Sequence, residues 1–154
     1  MKNYNYLTKS CKIILNQCMN LKSNESCLIV TDKKLKFIGK ILYKNSLKIT
    51  KNSKLILIPI PEAHGTEPSK HAADEMLNYD VVLMPTTKSL SHTKARESAS
   101  SKGARIASMP GITIDMMKRA LNVDFHKIRK INNELISKLK NKSKIRIKTK
   151  RGTD

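Results

Sequence analysis

Between Pro85 and Arg96 the sequence reads PTTKSLSHTKAR, directly after the apolar run VVLM. Thr86, Thr87, Lys88, Ser89, Ser91 and His92 thus crowd into seven positions. Hydroxyls beside an imidazole are the parts of a nucleophilic centre. Ser91 and His92 are adjacent, however, so their side chains diverge at the start of a helix. No acid within the stretch is there to orient His92. A capping role is the stronger reading: Ser91 or Thr93 caps the helix that follows. The free amides at its start, with Lys88 beside them, could hold a carboxylate or phosphate. Thr113, in PGIT, belongs to the same set of ligand-edge candidates.

A second constellation lies in HGTEPSKHAAD, with His64, Glu67, His71 and Asp74. Glu67, His71 and Asp74 are spaced by four and three, which puts them on one face of a helix begun by residue 67. Imidazole and carboxylate at that spacing suit zinc or manganese. Pro68 argues instead for a first helical turn, with Thr66 as N-cap and Glu67 at the positive helix end. His71 and Asp74 then read as surface polar residues, and no metal is expected on this chain. GxGxxG, Walker, GxSxG and HExxH patterns do not occur. Asp32 is the one acid at a strand end, too few for a receiver-type phosphoacceptor pocket.

These residues need elements to hold them. CLIVT, KLILIPI, DVVLM and ARIASM are short apolar runs, read as buried strands. A helical pattern over residues 4–21 precedes them, and others lie between them at 35–45, 69–77 and 92–103, the last closed by Gly103 at a left-handed C′ position. Helices over 112–121 and 124–140 follow, the second with Phe125, Ile128, Ile131, Leu135 and Leu139 on one face. The alternation predicts an α/β fold: an open, mostly parallel Rossmann-like or flavodoxin-like sheet of about four strands flanked by helices. Ligands of such sheets bind beyond the carboxyl ends of the strands. At the chain's end, KIRIK alternates apolar with basic residues and predicts a final edge strand, then RGTD a turn. The expected organisation is an N-terminal α/β domain over 1–142. Residues 143–154 would begin a linker or edge strand toward a C-terminal catalytic domain absent from this chain.

The formal net charge of +19 invites a nucleic-acid partner. Only six of the 31 basic residues are Arg, and aromatic residues make up 4%, which weighs against dedicated phosphate reading and base stacking. Nucleic acid is therefore not the expected partner. Three cysteines, Cys11, Cys18 and Cys27, form no CxxC and read as reduced, with Cys11 and Cys18 on one buried helix face. The first residues lack the apolar core of a signal peptide. No run approaches the ~18 apolar residues of a membrane span. A cytoplasmic protein with no membrane partner is expected, and a homodimer is possible through the alternating last strand or the first helix.

IPEAHGTEPSKHAADEM, DVVLMPTTKSLSHTKARESASSKGARIASMPGIT and MKRALNVDF together resemble the N-terminal part of the aminopeptidase T (thermophilic metalloaminopeptidase) family. The likeness is to its leucyl-aminopeptidase-like archaeal and clostridial members. It implies a two-domain metallopeptidase in which two divalent ions (zinc, cobalt or manganese) activate water to release N-terminal residues from a peptide. The family's metal ligands lie in a second half that has no counterpart here. The resemblance therefore implies a domain that shapes the substrate cleft or an interdomain interface and holds no cofactor or catalytic residue itself.

Overall fold

A computed structural model describes residues 2–121, 123–141 and 144–153. The chain divides into two compact units, Met1–Val123 and Asp124–Asp154.

The first unit is a four-stranded, wholly parallel sheet in the order β2-β1-β3-β4. Its strands are β1 (Cys27–Asp32), β2 (Ser53–Ile58), β3 (Val81–Met84) and β4 (Arg105–Ser108). The helices are α1 (Lys2–Lys12), α2 (Lys36–Ser46), α3 (Lys70–Met76), α4 (Lys94–Ser101) and α5 (Ile114–Arg119). Strand side chains alternate between faces, and both faces of the central strands are covered. Cys27, Ile29, Val81 and Leu83 meet Leu7, Cys11, Leu42 and Met117, from α1, α2 and α5. Leu28, Val30, Val82 and Met84 meet Ala72, Met76, Ala95 and Ala99, from α3 and α4. This is why Cys27–Val30 of β1 and all of β3 are apolar: neither strand has a wet face.

Close approach explains Gly39. A Cβ built there would lie 2.7 Å from Thr31 Cγ2 and 2.9 Å from its Cβ, so α2 rests directly on β1. Gly103 has φ +101 and ends α4 as its spacing predicts. Ala104 N donates to Ala99 O and Gly103 N to Ser100 O, the paired bonds of a Schellman motif.

The amino edge of the sheet is fastened by charged groups. Ser26 donates from its N and its Oγ to Asp80 (2.7 and 2.8 Å), and Asp80 N donates back to Ser26 Oγ. Arg105 reaches Glu25 at 2.7 Å and the carbonyl of Met19 at 2.9 Å. The Ser26 amide holds the Asp80 carboxyl below its ordinary range, and the Arg105 guanidinium does the same for Glu25.

Two sequence expectations are corrected in the first unit. After α1 the helix widens into a π-helical turn over Ile13–Cys18. The extra residue per turn buries Ile13, Ile14 and Leu15 in succession and rotates Cys18 outward. Cys18 is thus exposed rather than sharing the buried face of Cys11. The N-cap of α3 is Ser69, whose side chain accepts from Ala72 N, not Thr66. Thr66 Oγ1 instead donates to Ala63 O within its own loop.

The second unit is the 15-residue α6 (Phe125–Leu139), capped by Asp124, and the segment after it. Asp124 accepts from His126 N and Lys127 N. The expected edge strand is not formed: residues 144–149 carry no strand. Ile145 and Ile147 are exposed, so the alternating apolar face is covered by no core. The turn predicted by RGTD is present, with Gly152 N donating to Thr149 O.

Candidate functional site at the carboxyl edge of the sheet

The chain leaves β1 for β2 on one side, then crosses back to β3 on the other, so the topological switch lies between β1 and β3. Open parallel sheets set aside the crevice beyond that point for ligands. Here Thr31 and Asp32, the last two residues of β1, bridge it to the backbone of the loop after β3.

Asp32 is fully buried at the end of β1. One carboxylate oxygen accepts from Lys34 N at 3.0 Å and Leu35 N at 3.2 Å, which turns the chain into α2. The other accepts a short bond from Thr87 N, across the switch. Beside it Thr31 Oγ1 donates to Pro85 O at 2.8 Å. A buried carboxylate is tolerated because these amides replace its water.

The loop after β2 is fixed to the same segment. Gly65 N donates to Ser89 O at 2.8 Å, and Ser89 N donates to His64 Nδ1 at 3.0 Å. An accepting Nδ1 leaves the neutral ring its proton on Nε2. Glu67 accepts from Lys94 N at 2.6 Å and from Ala95 N at 3.2 Å. Those are first-turn amides of α4, so the acid does sit at a positive helix end. The helix is α4, not the α3 its sequence position suggests. Thr93 caps α4 by accepting from Arg96 N, and Arg96 Nε donates to Ser91 O. The loop after β4 joins through Gly111 N, which donates to Thr86 O at 2.8 Å.

All four strand-end loops therefore converge on residues 85–95. Thr86 is buried and donates to Lys88 O. Ser89 Oγ donates to Ser91 Oγ and accepts from Ser91 N. Of the candidate residues, His64, Glu67, Thr86, Thr87, Lys88, Ser89 and Ser91 share this network. His92 is exposed beside it. Thr113 caps α5 by accepting from Met116 N. His71 and Asp74 lie on exposed positions of α3, with Asp74 paired to Lys70 at 2.7 Å. Glu67 precedes α3, so it shares no helix face with His71 and Asp74. Among the described residues no group of three or more His, Cys, Asp or Glu is placed to hold a metal ion.

Sequence reasoning missed the role of Asp32 as a tie across the switch and of Glu67 as a cap on a helix 27 residues away. A lone acid at a strand end was a usable signal for the first. Nothing in the sequence pairs Glu67 with α4.

A groove of about 320 Å³ opens beside this network, under the loop after β2, where Ile58, Pro61, Glu62, Thr66 and Glu67 line it. Leu57 and Ile60, on the same stretch, are 49% and 39% exposed. Thr87 Oγ1 and Ser108 Oγ are buried without a hydrogen-bond partner.

No protein-family model and no curated protein match this chain. Among solved structures it is similar to 2,5-dihydroxypyridine dioxygenase from Pseudomonas putida KT2440, with a TM-score of 0.68 at 16% identity. The match covers 96% of this chain and 45% of that one. At that identity the likeness shows the shared α/β fold alone. It also overturns the aminopeptidase T reading, since the matching structure is a dioxygenase and no aminopeptidase is found. Short motifs such as PTTKSLSHTKAR read as a family signature because strand-end loops of parallel sheets share caps, prolines and small polar residues. The chain spans less than half the length of its structural neighbour. No described helix is long and apolar enough to cross a membrane.

Proposed function

We propose that Met1–Val123 is a non-catalytic α/β module whose carboxyl edge is a preformed docking surface for a second domain or chain. The observation that supports this is the convergence of all four strand-end loops on residues 85–95. The polar groups a catalyst would need are spent on backbone amides and carbonyls: Asp32 on three, Glu67 on two, His64 on one. Such ties cost reactivity and yield rigidity, and a rigid surface binds with less ordering entropy. The open edge of β2, with Leu57, Ile60 and the adjoining groove, supplies apolar contact. A second reading has one observation in its favour. The unpartnered Thr87 hydroxyl beside the topological switch would suit a small polar ligand.

Amide hydrogen exchange on the chain separates the two from an ordinary loop edge. Protection of the Gly65, Ser89, Lys94 and Gly111 amides comparable to that of β1 is expected. Fast exchange at all four would overturn the preformed surface. A thermal-shift panel of divalent metals, carboxylates and nucleotides is expected to leave Tm unchanged. A saturable rise mapped to Asp32 and Thr87 would replace docking by ligand binding.

A further inference from the structure

The second unit carries a different surface. At 3.6 residues per turn, Phe125, Ile128, Ile131, Leu135, Ile136 and Leu139 fall within an arc of about 140°. Ile131, Leu135 and Ile136 are 47, 51 and 63% exposed, and α6 has no buried residue. Arg129 and Lys138 stand at the two borders of that arc, with Lys127 and Lys130 behind them. All four are exposed. The bias continues past the helix: residues 124–154 hold eleven Lys or Arg against three acids. Within that run Ile145 and Ile147, both well exposed, alternate with basic residues.

We infer that α6 and the basic segment after it lie on an anionic lipid surface. The apolar arc would enter the boundary of the acyl chains, and the flanking cations would meet lipid phosphates and carboxylates. A helix of 15 residues, about 22 Å long, is built to lie in the interface rather than span it. That no described helix is long and apolar enough to cross a membrane leaves this mode of binding open.

Charge decides between occupants. Two copies meeting through α6 would bring ten cations against four acids from residues 124–141 alone, so a second copy is opposed by its own field. A nucleic acid would satisfy the cations and leave the apolar arc in water. An anionic bilayer satisfies both, and clusters of four to eight Lys or Arg on an amphipathic helix are the usual pattern for it.

The test is sedimentation of the full chain with vesicles of phosphatidylcholine alone or mixed with phosphatidylserine. Binding to the mixed vesicles at least about tenfold tighter than to the neutral ones, weakened by salt, is expected. I131E with L135E should reduce that binding about tenfold or more while circular dichroism stays unchanged, because neither side chain is buried. K127E with K138E should reduce it as well. Absence of binding, or equal binding to both vesicle types, overturns the inference. So does binding that survives I131E/L135E but not K127E/K138E, which marks a purely ionic surface such as one for nucleic acid. A concentration-dependent dimer abolished by I131E/L135E, with no vesicle binding, assigns the stripe to a second copy instead.

Discussion

The carboxyl edge of the sheet and helix α6 are built on opposite plans. At the edge three polar side chains are tied to backbone amides of loops far apart in sequence: Asp32 to Thr87, His64 to Ser89, Glu67 to Lys94. Along α6 no residue is buried, and the capping and helical bonds are local. The first region holds itself; the second has an apolar face that its own unit does not cover. Polar residues crowded at a strand end are therefore poor witnesses to chemistry. An amphipathic stripe left in water is the better indication of a partner.

The contrast can be broken in graded steps. Asp32→Ala leaves the amides of three part-buried bonds without an acceptor, and a loss of about 3 kcal/mol in urea unfolding is expected. A loss under about 1 kcal/mol would mean that water replaces the carboxylate and the tie is dispensable. Gly39→Ala forces a methyl against Thr31; overpacking of about 1–3 kcal/mol outweighs a helix-propensity gain of at most about 1 kcal/mol, so Tm should fall. Glu67→Ala removes an exposed cap from α4, and about 1 kcal/mol of destabilisation is expected in the same assay. Leu135→Ser on α6 should change stability by less than about 0.5 kcal/mol despite removing a large apolar side chain. If Leu135→Ser costs more than Glu67→Ala, α6 is packed in solution and the contrast fails.

The fold was legible in the sequence because its signals are local. CLIVT and DVVLM are bounded apolar runs, Gly103 ends a helix, and Thr93 and Asp124 stand at helix starts. The site was legible only in part. The set Thr86 to Ser91 was found because strand ends gather at one edge, yet its role as a hub depends on bonds spanning 25 to 55 positions. Pairings of that length leave no spacing to read. KIRIK shows the complementary error. Period-two alternation is a necessary signal for a half-buried strand, but residues 144–149 form no strand, and the exposed Ile145 and Ile147 have no core to face.

The π-helical turn after α1 has a chemical consequence. By turning Cys18 outward while Cys11 and Cys27 stay buried, it divides three thiols into one addressable and two silent ones. Burial pushes the thiols of Cys11 and Cys27 up to about 12, so neither ionises at physiological pH and neither is accessible to reagent. Native alkylation should label one site per chain at Cys18, and denatured alkylation all three. Under oxidising conditions a single reachable thiol can join two chains but never a third. The chain would therefore stop at a covalent pair where three open cysteines would build a network.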